Sequence, residues 1–194
     1  LVLTLVNPIE DLMNPSLKGR KIRAPGLGFK EVIHYLGGDT VTMPSAEAPA
    51  ALATGLAQGL YTTLDTWEAE GLQTLCPFVY LLNTPFMTPH CMSEAGYKKL
   101  PDWAQRIIDR AAEDTGKYMI DWARGYRQSL LDKYQGHPKV RMVVLNEAQM
   151  AAWSNRLKPF YEWMTGKYPE LNRYLEDCKK AWEATHTTPP PVIK

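Results

Sequence analysis

Between residues 17 and 63, two short strand-like runs, Lys21-Ile22-Arg23 and Val41-Thr42-Met43, are each closed by a proline, Pro25 and Pro44, and flank a helix-sized segment. A second helix-sized segment then leads to a third run, Gly59 to Thr63. Few folds satisfy this alternation. Strands joined by helical crossovers run parallel, and ligands collect at the carboxyl ends of such strands. The pattern therefore predicts that Arg23, Ser45 and Thr62 share one rim. A guanidinium offers paired N–H donors in a fixed plane that matches both oxygens of a carboxylate, a geometry lysine lacks. With two hydroxyl residues beside it, Arg23 points to a carboxylate-binding site, although arginine is more often an ordinary surface residue.

The rest of the chain extends this α/β pattern. Leu1 to Val6 reads as a strand ended by Asn7-Pro8. Phe29, Val32, Ile33 and Leu36 recur at helical spacing, and Gly37-Gly38 stops that helix. Ala46 to Ala57 reads as a helix in which Pro49 is tolerable because it lies in the first turn. Glu68 to Leu75 reads as a short helix or turn. Phe78 to Leu82 is extended, with Pro77, Pro85 and Pro89 as interruptions. The longest helical pattern, Pro101 to Tyr134, repeats Trp103, Ile107, Ala111, Tyr118 and Trp122, and its length suggests a spine between two lobes. Val140 to Leu145 is expected to be a strand, and Asn146 to cap a helix from about Glu147 to Trp163. A last helical segment lies within Lys167 to Thr185, before the stiff tail Pro189-Pro190-Pro191.

Several function classes fall away. Lys plus Arg number 22 against 21 for Asp plus Glu, a net charge of +1, which lacks the basic footprint of a nucleic-acid binder. The apolar runs are far shorter than the roughly 20 residues of a membrane helix. No initiator Met or signal pattern is visible, so a processed or truncated chain is expected. Cys76, Cys91 and Cys178 have no metal-ligand spacing and read as buried free thiols. His34, His90, His137 and His186 share no ligand spacing either. Gly26-Leu27-Gly28 lacks the third glycine of a dinucleotide fingerprint, and no nucleophile elbow or phosphate loop is present. Neither an enzyme, a metal nor a cofactor is expected.

Leu17-Lys18-Gly19, Lys21-Ile22-Arg23 and Pro25, followed by Met43, Glu47, Ala51, Leu52, Gly55 and Gly59, keep the order and spacing of a known family, as does Tyr97-Lys98-Lys99-Leu100-Pro101 with Trp103 and Ala104. Over about residues 16 to 170 the chain resembles the solute-binding proteins of TRAP (tripartite ATP-independent periplasmic) transporters. The resemblance implies a two-lobe periplasmic binding protein-like fold of type II kind. Here it would be a C-terminal fragment, lacking the first lobe's opening elements. Residues 1–77 would form the second lobe, and 78–194 a crossover strand, spine helix and C-terminal helices packing on both lobes. It further implies a periplasmic location, a small organic acid as ligand, membrane permease subunits as partners, and Arg23 on the ligand's carboxylate. The unpartnered faces of the long helix leave oligomer formation open.

Departures from the family pattern bear on the ligand. Gln58-Gly59 stands for the family's Asp-Gly, Thr62 for a ligand-binding asparagine in many members, and Ser45 for a frequent aromatic. Thr62 and Thr63 keep hydroxyls at the rim, but a hydroxyl lacks an amide's reach. Trp67 is a candidate to replace the lost aromatic wall, with core packing as its plainer role. Phe86 and Thr88 lie where family members often place a ligand contact. A sensor domain of the same fold and a truncated copy without ligand are the alternatives.

Overall fold

The computed structural model describes residues 1–82 and 91–185, with the backbone alone at 178, 179 and 181–185. Among these residues six strands build one sheet: β1 (Val2–Leu5), β2 (Lys21–Arg23), β3 (Asp39–Val41), β4 (Gly59–Thr62), β5 (Phe78–Leu81) and β6 (Arg141–Val144), in the order β3-β2-β4-β1-β5-β6. As the alternation predicts, β2 runs parallel to both β3 and β4. β5 and β6 are also parallel, and β1 lies antiparallel between β4 and β5. Two antiparallel pairings in succession leave β4 and β5 parallel to each other. Five strands therefore end on the rim where β1 begins.

The helices are α1 (Leu27–Tyr35), α2 (Ala48–Ala53) entered through a 3-10 turn at Ser45–Glu47, α3 (Leu64–Ala69), α4 (Glu94–Lys98), α5 (Asp102–Tyr134), α6 (Glu147–Lys167) and α7 (Leu171–Thr185). Pro49 sits in the first turn of α2, as expected. Gly37, at φ +84°, ends α1 in a conformation that side chains with a Cβ rarely adopt. An Asn146–Gln149 capping box starts α6. That helix continues through Pro159 to Lys167, beyond the expected stop at Trp163, although the proline forfeits one backbone hydrogen bond.

Residues on alternate sides of the strands build two cores. On one face Leu3, Leu5, Ile22, Tyr61 and Tyr80 pack with Ile33 and Leu36 of α1 and Trp153 of α6. On the other, Thr4, Leu60 and Val79 are fully buried neighbours across β4, β1 and β5. There the Trp67 indole donates to the Cys76 carbonyl at 3.0 Å. Gly59 is required by the close approach of β1 to β4: a Cβ there would lie 2.4 Å from the Thr4 carbonyl oxygen.

Leu1–Thr84 with Pro138–Lys194 form one compact unit, and Pro85–His137 a second. β5 and β6 extend the same sheet as β1 to β4. Taken by itself, α5 is a largely solvated helix in which only Leu130 and Tyr134 are buried. Lys117 pairs with Glu113 at 2.6 Å one turn away, and the Trp122 and Tyr126 rings stack 4.9 Å apart. Cys91 is exposed, which corrects the expectation of buried thiols; Cys76 is buried, and the Cys178 side chain lies outside the described residues.

Candidate functional site

The carboxyl ends of β3, β2 and β4, consecutive in the sheet, bring Ser45, Arg23 and Thr62 to one rim. Arg23 is the last residue of the middle strand and is 7% exposed. Its Nε and Nη2 both donate to the Met43 carbonyl, at 3.0 and 2.9 Å. Met43 precedes Pro44, which biases it toward extended backbone. β3 has ended at Val41, so the Met43 carbonyl lies beyond the sheet ladder. The guanidinium is thus fixed through one edge. Nη1 and the second N–H of Nη2 form the other edge, a two-donor fork of the kind that binds a carboxylate bidentately.

Burial lowers the pKa of Arg23 from its ordinary value, and the charge of Glu70 opposes that shift. An arginine so shifted remains a cation at neutral pH. A desolvated guanidinium attracts an anion more strongly than a solvated one.

Thr62 ends β4, is 5% exposed, and by alternation shares the sheet face of Leu60, the register partner of Arg23. Ser45, half-buried, begins the 3-10 turn. Thr63 caps α3 by position, and its hydroxyl is within 2.8 Å of the Thr66 hydroxyl. Trp67 departs from its candidate role: it is 0% exposed and its indole N–H is held by the Cys76 carbonyl, so it is a core residue with no surface for a ligand. Phe86 and Thr88 lie outside the described residues.

Sequence reasoning missed two partners of Arg23, the Met43 carbonyl and Glu70. The Met43-Pro44 pair carried a signal for the first; nothing local marks the second. It also left open what Gln58 does in place of an aspartate. The Gln58 side chain accepts from Lys21 N at 2.7 Å and donates to the Gly55 carbonyl at 2.8 Å, tying the entry of β2 to the end of the α2 turn. This is a scaffold role at the opposite rim. Among the described residues no cluster of His, Cys, Asp and Glu could hold a metal ion, and no helix is long and apolar enough to cross a membrane.

Residues 6–167 match the model of the family described as bacterial extracellular solute-binding protein, family 7. Among solved structures, the fold is similar to the periplasmic ectoine-binding protein of the TeaABC TRAP transporter of Halomonas elongata, at 21% identity and a TM-score of 0.74, covering 93% of this chain and 58% of that one. A TRAP periplasmic solute-binding protein from Roseobacter denitrificans with bound β-D-glucuronate is similar at 21% identity and a TM-score of 0.74, covering 90% of this chain and 57% of that one. One from Pseudomonas aeruginosa with bound L-malate is similar at 18% identity and a TM-score of 0.69, covering 83% and 56%. The chain thus spans less than three-fifths of the length of these structures.

Proposed function

Because the chain belongs to family 7 of the bacterial extracellular solute-binding proteins, we propose that it is the larger part of a periplasmic protein that captures a small organic acid for a TRAP-type uptake transporter. Its role is reversible binding without chemical conversion. The ligand carboxylate meets the free edge of Arg23, with hydroxyls of Ser45, Thr62 and Thr63 beside it. Phe86 and Thr88 are proposed contacts on the strength of the family resemblance alone. Closure of a second lobe over the rim would present the loaded form to the membrane permease subunits.

The observation that supports this most is the fixed guanidinium of Arg23, desolvated and tied through one edge to the Met43 carbonyl. A structural arginine would normally spend its remaining donors on a carboxylate of its own protein. Among the described ion pairs Arg23 has none within 4.0 Å. The acids named for solved neighbours, L-malate and β-D-glucuronate, belong to the same chemical class. Thr62 offers fewer fixed donors and acceptors than the asparagine it stands for. A polyol with unpaired buried hydroxyls would lose about 1–3 kcal/mol for each. The favoured ligand is therefore a monocarboxylate with a less hydroxylated body.

Calorimetry on the full-length protein with L-malate, D-glucuronate, benzoate and a branched-chain oxoacid tests this. At least one acid binds, and Arg23→Lys weakens it by about 1.5–3 kcal/mol, the scale of charge-assisted hydrogen bonds. Equal affinities in the two proteins would remove the bidentate clamp. Binding of D-glucuronate alone would overturn the ligand class while leaving the clamp in place.

A further inference from the structure

The backbone that holds Arg23 is itself restricted by a proline. The Ala24 N–H donates to the Val41 carbonyl at 3.1 Å, and β3 ends at Val41. The Met43 carbonyl, which takes Nε at 3.0 Å and Nη2 at 2.9 Å, lies two residues further on, outside the ladder that would set its direction. Pro44 restricts it instead. A residue before proline is biased away from the helical region, in which its carbonyl would point elsewhere.

Pro44 has φ −53° and ψ 150°, and it is exposed, so its ring adds little to the core. Its own carbonyl accepts from the Glu47 N–H at 3.2 Å, which closes the 3-10 turn that Ser45 begins. One exposed residue therefore stands between two groups of the rim, the carbonyl that grips Arg23 before it and Ser45 after it. A guanidinium has two edges that take a carboxylate bidentately, the side edge of Nε and Nη2 and the end edge of Nη1 and Nη2. Met43 occupies the side edge. A carboxylate must then meet Arg23 end-on.

We propose that Pro44 is a positioning residue of the acid site: by fixing the Met43 carbonyl on the side edge of Arg23 it sets the direction of the end edge, so that an acid binds without first ordering the arginine. The inference rests on the reading of Arg23 as the anchor of an organic acid and adds the residue that orients the anchor. Holding a group in its bound orientation beforehand removes that ordering cost from the binding step.

The test uses the full-length protein with its arginines labelled with 15N, Arg23→Lys to assign the Arg23 Nε–H signal, and Pro44→Ala. Alanine adopts the backbone angles of Pro44 without strain, so the variant should fold. In ligand-free wild type the Arg23 Nε–H should resonate downfield and exchange slowly; in Pro44→Ala it should move upfield and exchange faster. Calorimetry with L-malate, D-glucuronate, benzoate and a branched-chain oxoacid should show each acid that binds weakened about three- to tenfold by Pro44→Ala. Pro169→Ala, which removes another exposed proline between α6 and α7, should leave both readouts unchanged. In the Arg23→Lys background Pro44→Ala should change acid affinity by less than about twofold, since no guanidinium is left to orient. An unmoved Nε–H signal in Pro44→Ala would overturn the hold on the guanidinium. A full loss of affinity from Pro44→Ala in the Arg23→Lys background would make the effect one of the loop at large and overturn it too. If no acid binds wild type, the reading of Arg23 fails and the role of Pro44 with it; acids that bind wild type and Pro44→Ala alike would leave the acid site standing and overturn Pro44 alone.

Discussion

Trp67 and Trp103 are the same side chain in two regions built on different terms. Trp67, in the sheet unit, is 0% exposed and hydrogen-bonded; Trp103, at the start of α5, is 62% exposed. The contrast holds throughout. In the sheet unit, β1 and β4 are buried at every position, whereas α5 presents Ile107, Tyr118 and Ile120, each more than half exposed. The lesson is that a similar apolar content serves two purposes. In the sheet it is consumed by packing within the unit, and in α5 it remains as surface. Exposed large apolar side chains on one helix are a common mark of a contact face in larger proteins, in keeping with solved structures of similar fold that are longer than this chain.

Substitutions paired across the two regions test the contrast. Trp67→Ala should lower stability by about 3–5 kcal/mol, as for other buried aromatics, whereas Trp103→Ala should change it by less than about 0.5 kcal/mol. Urea unfolding of both variants decides this; equal losses would mean that α5 packs as tightly as the sheet. Gly59→Ala follows. Its methyl group would meet the Thr4 carbonyl at 2.4 Å and Leu5 at 2.6 Å, so a loss of about 1–3 kcal/mol is expected. Gly116→Ala in α5 meets nothing within 4 Å and should instead gain about 0.5–1 kcal/mol from helix propensity.

The cysteines give a finer comparison. Burial pushes the Cys76 thiol up to about 12 from 9.0, against a smaller opposing effect of its hydrogen bond with Thr4. A raised folded-state value means that the stability it confers is intact below about pH 9 and is lost as pH climbs toward 12. Cys76→Ala should flatten that alkaline decline, and Cys91→Ala should leave it as it was. With a thiol reagent at neutral pH, the exposed Cys91 should react in the native protein and Cys76 only on unfolding. Fast labelling of Cys76 would show that the sheet unit opens far more readily than its burial implies.

What could be read from the sequence was local. β2, β3 and β4 with their closing prolines, the stop at Gly37, the cap at Asn146 and the extent of α5 all follow from residues within a turn or two of each other. The rim of Arg23, Ser45 and Thr62 follows from the parallel run of strands joined by helical crossovers. Non-local features were not legible. Nothing in Leu1 to Val6 says that the strand lies antiparallel between β4 and β5, because register depends on partners far along the chain. The burial of Trp67 was hidden for the same reason: its hydrogen bond is to Cys76, across a turn whose course the sequence does not fix. Pro159 within α6 shows tertiary packing overriding a local breaker.

The antiparallel strand β1 also bears on how the protein forms. Leu5 pairs with Gly59 on one side and with Phe78 on the other, and β6 joins only after the chain has passed through the whole of α5. Until β4 and β5 arrive from far along the chain, β1, apolar at three of its four positions, must wait unpaired. Loop closures of that length precede any reward from pairing, so folding should be slow for a domain of this size, and the waiting Val2–Leu5 segment is the one most prone to pair with the wrong chain. Once β1 is seated between its two partners it cannot leave without breaking both ladders. The strand that delays folding is then the one that holds the finished sheet shut.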